Sequence, residues 1–163
     1  MSEEVVHGMA ELQRFLDQLP EKLQRNVLRG TMRAAAKVPM AEAKRTAPVD
    51  AGGPHPGALR DSLRIKTSAR GGVVKATVSA GSKVAYYARW VEYGTAAHFI
   101  KPKRRKSLFF AGLAREIIHH PGAKKKPFMR PALDRSAQAA LAAAGTYLRK
   151  RLTKEGLDVP SEA

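Results

Sequence analysis

The stretch LRIKTSARGGVVKATVSA, Leu63 to Ala80, decides the fold because it combines two strand patterns with a turn between them. Apolar and polar side chains alternate in LRIKTS, Leu63 to Ser68, and less strictly in VVKATVSA, Val73 to Ala80. The adjacent Gly71 and Gly72 permit a tight turn, because glycine adopts positive φ angles at little steric cost. The stretch therefore predicts an antiparallel hairpin near the middle of the chain.

Short segments after this hairpin are further strand candidates. They are HFI, His98 to Ile100; SLFF, Ser107 to Phe110; and REIIH, Arg115 to His119. Ala111 and Gly112 would form the turn between the last two segments. Together with the hairpin, these segments predict a mainly antiparallel sheet of about four strands.

The first third of the chain has a helical pattern. Apolar residues recur every three or four positions at Leu12, Leu16, Leu19, Leu23 and Val27, as on one face of a helix. Pro20 interrupts this pattern, so a second helix is expected to begin there. Pro39 is expected to bend that helix and Pro48 to end the helical region.

The last third has the same periodicity. Its apolar face comprises Leu133, Ala137, Leu141, Ala144, Leu148 and Leu152. Pro131 suits the first turn of this helix, and Gly156 is a plausible terminator. The order helix, sheet, helix predicts an α+β fold, in which a long kinked N-terminal helix and a C-terminal helix pack on the same central sheet.

The length of 163 residues favours a single domain. We expect a flexible N-terminus at residues 1–8, one domain at 9–155 and a flexible tail at 156–163. Within the domain, the expected divisions are a helical part at 9–47, sheet and loops at 48–126, and the C-terminal helix at 130–155. The glycine- and proline-rich VDAGGPHPG, Val49 to Gly57, is a predicted loop.

Charge is the strongest signal in the composition: 30 Lys and Arg against 14 Asp and Glu give a net charge of +16. Basic residues concentrate at Lys101, Lys103, Arg104, Arg105 and Lys106, at Lys124, Lys125 and Lys126, and at Arg149, Lys150, Arg151 and Lys154. These clusters could together face phosphates or acidic partner subunits, and the sequence does not choose between the two. A solvated loop and complementation of the helix dipole are simpler readings of the same clusters.

Enzymatic and metal chemistry find little support in the sequence. The chain has no Cys, no GxSxG motif and no phosphate-binding glycine motif. His119 and His120 are adjacent, so on a strand they point to opposite faces and chelate poorly together. Glu92 lies in an aromatic cluster and could be a general acid with a raised pKa, but we favour an ion pair or a cap on backbone donors. We therefore expect no enzyme, no cofactor and no metal.

The N-terminus, MSEEVVHGMA, is acidic and lacks the basic and apolar regions of a secretion signal. The longest apolar stretches, such as Ala139 to Ala144, are far shorter than the roughly 20 residues of a membrane span. We therefore expect neither a secretion signal nor contact with a membrane.

Four segments in this order resemble one known family. They are APV (Ala47 to Val49) followed by LRDSL (Leu59 to Leu63), YYARWVEYGT (Tyr86 to Thr95), IKPKRRKSLFF (Ile100 to Phe110) and HHPGAKKKPFMRPAL (His119 to Leu133). Over roughly residues 10 to 150, the chain resembles the tail-component family of long-tailed bacteriophages, the neck proteins that complete the tail for head joining.

The resemblance implies a structural role for the shared motif residues. They are Leu59, Ser62, Leu63, Tyr87, Ala88, Val91, Glu92, Tyr93, Gly94, Thr95, Pro121, Gly122, Pro127, Phe128, Arg130, Pro131, Ala132 and Leu133. In the LRDSL motif, the side chains of Asp61 and Ser62 are expected to form hydrogen bonds with the local backbone. Tyr87, Trp90, Val91 and Tyr93 are expected to supply much of the aromatic core.

The resemblance also implies a function, partners and a location. The chain would complete the tail and join it to the DNA-filled head, as one subunit of a ring in the virion neck. It would assemble in the host cytoplasm. Its partners would be copies of itself, a head-closure (connector) protein, a tail terminator or tail tube protein, and the genomic DNA in the channel. We expect the segment from Ala97 to Lys126 to be a basic arm facing a partner or the lumen.

Two other functions stay open from the sequence. The pI near 10.6 fits a DNA-binding protein without sequence preference, although no recognised DNA-reading motif supports it. A hydrolase using Glu92 and a nearby His ranks last.

Overall fold

The computed structural model describes residues 17, 20–52, 54–102, 108–110 and 112–154. Leu12, Leu16 and Leu19 of the predicted N-terminal pattern lie outside the described residues. The predicted flexible segments, 1–8 and 156–163, lie outside them as well.

Helix α1 spans Glu21–Thr46 and is the central element of the fold. It begins directly after Pro20, as predicted, because a proline in front of the first turn needs no helical partner for its nitrogen. The helix continues through Pro39 without ending. It stops before Pro48, whose ring forces the preceding Ala47 into an extended conformation, with φ −59° and ψ 128°.

The predicted hairpin follows a short helix, α2, at Ala58–Asp61. Strand β1 (Arg64–Arg70) pairs antiparallel with β2 (Val73–Ser79), and the turn falls at Gly71 and Gly72, which have φ angles of +57° and +74°. Exposed and half-buried residues alternate along β1 and most of β2, as expected for a sheet with one covered face. Helix α1 packs against this hairpin.

The middle of the chain contains one more short helix and four short strands. They are α3 (Ala88–Tyr93), β3 (His98–Ile100), β4 (Leu108–Phe110), β5 (Leu113–Arg115) and β6 (Ile118–His120). Strand β3 pairs with β6 and β4 with β5, both antiparallel. Gly112, with a φ of +80°, lies in a turn between β4 and β5, as predicted, whereas Ala111 of the predicted turn lies outside the described residues.

The expected single sheet of about four strands is wrong in its details. Within the described residues, the strands form three separate two-stranded ladders. The later strands are three residues long. They pair with one another, β3 with β6 and β4 with β5, and not with β2. The predicted strand REIIH is also divided, because Glu116 and Ile117 lie between β5 and β6.

Helix α4 (Met129–Lys154) returns along α1 and runs antiparallel to it, since Gly30 meets Tyr147 while Ala43 and Ala132 share one core cluster. The prediction that the C-terminal helix packs on the sheet is therefore wrong. Helix α1 instead contacts both the hairpin and α4. The many alanines in both helices allow this close packing.

The main core lies where the end of α1, α2, α3 and the start of α4 meet. Its buried members are Ala43, Ala47, Leu59, Leu63, Ala88, Phe128 and Ala132. Phe128 is the largest of them, and burying such a side chain stabilises a fold by about 1.5–3 kcal/mol. Val27, near the start of α1, and Leu152, near the end of α4, are also fully buried. They lie at the end of the helix pair that is farther from this core. The α+β class, with long helices before and after antiparallel strands, is confirmed.

Candidate assembly surfaces

Glu92 fastens the last turn of α3 to the first turn of α4. Its carboxylate accepts hydrogen bonds from the backbone N–H groups of Phe128 (2.8 Å), Met129 (3.0 Å) and Arg130 (3.1 Å). The first N–H groups of a helix have no partner within the helix, and a carboxylate there also interacts favourably with the helix dipole. The interpretation of Glu92 as a cap on backbone donors is confirmed.

The electrostatics of Glu92 disfavour the general-acid interpretation. Partial burial alone would raise the pKa of this carboxyl, but the three backbone hydrogen bonds and the nearby Arg130 outweigh burial and hold the pKa below its ordinary value. A general acid at neutral pH requires the opposite shift. The hydrogen bonds and the direction of the pKa shift together favour a structural role for Glu92.

Next to this cap, the segment after α3 crosses the segment before α4. The backbone N–H groups of Thr95 and Ala123 each donate to the other residue's carbonyl, at 3.0 and 3.1 Å. The N–H of Ala123 also donates to the Thr95 hydroxyl (2.9 Å), and the N–H of Lys126 donates to the carbonyl of Val91 (2.8 Å). These bonds hold the two segments together at one place.

The crossing requires a glycine in each of the two segments. Gly94 has a φ of +73°, and a β-carbon there would fall 2.7 Å from the carbonyl oxygen of Ala123. Gly122 has a φ of +86°, and a β-carbon there would overlap the carbonyl of Thr95 and lie 2.8 Å from the carbonyl carbon of Ala96. The turn predicted at Pro121 and Gly122 and the positive φ predicted at Gly94 are both found.

Beyond the crossing, strands β3 to β6 form a projecting arm, which we define as residues 98–102, 108–110 and 112–120. Apart from marginal contacts, its described strands touch only one another. His98 stacks on His120 across the β3–β6 ladder, and Phe99 packs against His119, with ring centroids 5.0 and 5.1 Å apart. His119 and His120 therefore point to opposite faces, as predicted.

The arm exposes apolar side chains. Phe99 is 67% exposed and Ile117 49% exposed, and large parts of Ile100 and Leu113 are exposed as well. Apolar groups in such positions on a monomer commonly mark an interaction site when they are grouped together.

The basic residues predicted for this region are only partly described. Lys101 follows β3 on the arm, and Lys124, Lys125 and Lys126 are exposed at its base, directly after the crossing. Lys103, Arg104, Arg105 and Lys106 lie outside the described residues. The cluster around Lys150 is at the far end of α4, roughly 30 Å from the arm's base for about 20 helical residues. The described basic clusters therefore do not form one compact patch.

The aromatic residues of α3 correct a second expectation. Tyr87 and Val91 pack against the core as predicted, but Trp90 is 49% exposed and Tyr93 68% exposed. A helix of six residues buries one face only, and here that face is occupied by Ala88 and Val91. Tyr86 and Trp90 instead pack edge to face on the surface, with centroids 5.6 Å apart.

An apolar groove of about 720 Å³ lies between β2 and α4, and it was not predicted from the sequence. Its floor is formed by small residues of α1, including Ala36, Pro39 and Ala43, and Leu133 of α4 lies along it. The predicted apolar face of α4 was expected to be buried, but Leu133 is 55% exposed and Leu141 67% exposed. The periodic pattern correctly predicted an apolar face, but within the described residues no element of the chain covers Leu133 or Leu141.

Several other residues of the predicted motifs are buried or form hydrogen bonds within the fold. Leu59 and Leu63 are buried, and Ser62 donates to the carbonyl of Leu59 (2.6 Å) and accepts from the N–H of Gly81 (2.9 Å). Asp61 is exposed, its carboxylate pairs with Arg60 at 3.6 Å, and its backbone N–H donates to the carbonyl of Gly57 (3.0 Å). Pro131 and Ala132 lie in the first turns of α4, as expected.

The described residues offer no cluster of side chains suited to metal binding. No cluster of three or more His, Cys, Asp or Glu side chains in this part of the chain could hold a metal ion. No described helix is long and apolar enough to cross a membrane. The prominent features are a fastened base, a projecting arm and an open groove, which together are typical of an assembly subunit.

The comparison with protein families agrees with this class. Residues 10–94, just over half of the chain, match the family described as "Bacteriophage HK97-gp10, putative tail-component". The chain belongs to this family, and the resemblance seen in the sequence is confirmed. A tail component is a structural part of the phage particle. No curated protein and no solved structure matches the chain.

Proposed function

We propose that the chain completes the phage tail at its head-proximal end and joins the tail to the head, as one subunit of a ring. Family membership supports a tail role. The observation that carries the finer proposal is the arm, which is fastened at Thr95 and Ala123 but touches little of its own body. Such an arm is suited to contact a neighbouring subunit.

The partners follow from this position. A ring between head and tail contacts further copies of itself, a head-closure protein above, and a tail terminator or tube protein below. A head-to-tail contact between copies closes such a ring. In this proposal the genomic DNA passes through the channel of the ring, and we expect the basic residues of the arm and its base to contact DNA or acidic partner surfaces.

Gene deletion tests the joining role. In the phage or prophage that carries the gene, its deletion should give DNA-filled heads beside separate tails in electron micrographs of the lysate. Wild-type protein supplied from a plasmid should restore joined particles. Joined particles in the absence of the protein would overturn the proposal.

Charge reversal tests the arm. A variant with Lys103, Arg104 and Arg105 changed to Glu should fold normally but fail to restore joined particles. The matched control changes Lys66, Arg70 and Lys75, which are exposed on the hairpin, and therefore alters net charge equally. The control should restore joining. Equal particle yields from both variants would reject a role for the basic arm.

A second candidate function is DNA binding without sequence preference. It is favoured by the net charge of +16 and by Lys124, Lys125 and Lys126, which are exposed and form no ion pair with a described acid. Replacing the three lysines with Gln should weaken binding to random-sequence DNA equally for all sequences. It should also reduce the slope of log affinity against log salt by about 2–3. An unchanged slope would exclude phosphate contact at this site.

A further inference from the structure

We infer that the apolar groove is the docking site for the arm of a second copy of this chain, whose strand adds to the free edge of β2. This inference rests on the proposed ring and specifies its subunit contact. It joins two surfaces that are otherwise unexplained: an arm with uncovered apolar groups and a groove with an uncovered apolar lining.

The arm supplies a suitable apolar face. Phe99 pairs with His119 across the β3–β6 ladder, and Ile117 lies two residues before His119. Ile117 directly precedes β6 (Ile118–His120). Phe99 and Ile117 are both about half exposed or more, so this part of the arm presents uncovered apolar groups.

The groove presents the edge of a strand. All five residues from Ala76 to Ala80 line it, including both inward- and outward-facing positions of β2. A strand that presented only its face would contribute alternate residues. Within the described residues β2 pairs with β1 alone, so its other edge is available for a further strand.

A polar group in the lining of the groove also lacks a partner. The buried hydroxyl oxygen of Ser79 has no hydrogen-bond partner among the described residues. Buried polar groups are normally satisfied, and the backbone of an added strand would supply donors and acceptors here.

The occupant comes from another copy because the arm of the same chain is held away from the groove. The crossing at Thr95 and Ala123 fixes where the arm leaves the body, and the described strands of the arm do not pack on β2. An arm and a groove on one subunit form a heterologous contact, which can repeat from copy to copy until a ring closes.

Salt should strengthen this contact. Lys101 on the arm and Arg89 and Arg130 beside the groove are all exposed and positive, so electrostatic repulsion opposes docking of two copies. Screening reduces that repulsion, while the apolar contact is retained. Phosphate-driven DNA binding has the opposite salt dependence.

Cysteine cross-linking tests the geometry directly, because the chain contains no Cys. The full-length double variant Phe99→Cys and Thr77→Cys should form a ladder of covalent oligomers on mild oxidation. Thr77 is exposed and lines the groove. The control pairs Phe99→Cys with Lys150→Cys, an exposed position near the C-terminal end of α4 that does not line the groove, and should give no ladder. An intrachain disulfide, or equal ladders from both pairs, would overturn the inference.

Mixing two complementary variants tests the head-to-tail character. The arm variant F99S/I117S and the groove variant T77R/L133R should each associate at least tenfold more weakly than wild type in sedimentation experiments, with unchanged circular dichroism. Each retains one intact half of the contact, so an equimolar mixture should form 1:1 dimers and nothing larger. Wild-type association of either variant alone would overturn the inference.

Failure of docking and failure of the proposed function have different signatures. If rings form and heads join tails while the Phe99–Thr77 cross-link is absent, docking is wrong and the joining role stands. If deletion of the gene leaves particles joined while the cross-linked ladder forms, the joining role is wrong and docking stands.

Discussion

The ring of Tyr147 in α4 lies directly against the backbone of Gly30 in α1, in the space that a side chain at position 30 would occupy. A β-carbon on Gly30 would fall 2.5 Å from two carbons of the Tyr147 ring. Glycine inside a helix normally destabilises it by about 0.5–1 kcal/mol relative to alanine. At this position, however, the missing side chain makes room for a contact between the two long helices.

Substitution of Gly30 by Ala should therefore destabilise the protein, by about 1 kcal/mol in the free energy of unfolding, because loss of Tyr147 packing exceeds the gain in helix propensity. The matched control is Gly145→Ala in α4, where the nearest atom is the Arg149 side chain at 3.6 Å. This control should stabilise by about 0.5–1 kcal/mol. Denaturant unfolding of both variants measures the difference, and equal signs would contradict the assigned packing.

Replacement of Glu92 by Gln should destabilise the fold by about 1–2 kcal/mol at pH 7, because it removes the charge from a helix cap that accepts three backbone bonds. The pKa of Glu92 is lower in the folded protein than its ordinary value of 4.5. Its contribution is therefore fully present above pH 4.5 and is lost as the pH falls through the folded-state pKa.

The difference between wild type and Glu92→Gln should accordingly shrink when unfolding is measured at pH 3. Glu21→Gln is the control, because Glu21 lies in the first turn of α1 but is largely exposed and pairs only with Arg25. Exposed pairs of this kind contribute less than about 1 kcal/mol. A pH-independent effect at position 92 would show that the charge is not the stabilising feature.

Ser62→Ala should cost about 1–3 kcal/mol, because it leaves the N–H of Gly81 without its acceptor. Ser136 is the other buried serine in the described part of the chain, and its hydroxyl donates only to the carbonyl of Ala132 in its own helix. Ser136→Ala should change stability by no more than about 0.5 kcal/mol, since alanine has the higher helix propensity. Comparable losses at both positions would refute a specific role for Ser62.

Gly122→Ala should destabilise by more than about 2 kcal/mol, since it adds a strained positive φ to an overlap with the backbone of Thr95 and Ala96. Gly71→Ala provides the control, because Gly71 has a φ of +57° and no atom within 4 Å of the added carbon. It should cost about 1 kcal/mol, from conformation alone. Thermal unfolding distinguishes the two, and similar melting temperatures would contradict a close crossing at Gly122.

Local patterns in the sequence predicted the helices and the hairpin. The periodicity around Val27 and Leu152 and the turn at Gly71 depend on neighbouring residues, so they can be recognised from the sequence alone. The docking of α4 on α1 was not predicted, because an apolar face does not specify which other face covers it. The same ambiguity hid the exposure of Leu133 and Leu141.

The candidate surfaces were predictable only where one segment contains the whole signal. The arm, its basic residues and the motif glycines lie in short stretches, and the sequence indicated them. Glu92 was correctly interpreted as a cap, but its partners at Phe128, Met129 and Arg130 are 36 to 38 residues away and could not be named. The groove combines α1, β2, α3 and α4, so no single segment indicates it.

The bonds between Thr95 and Ala123 close the body of the protein before the arm begins and after it ends. The enclosed residues are therefore a module, whose length and sequence can change with little effect on the core. Doubling the length of a flexible loop adds only about 0.6 kcal/mol of closure free energy. The same body can thus be matched to different neighbours by exchanging the arm, without changes to the two long helices.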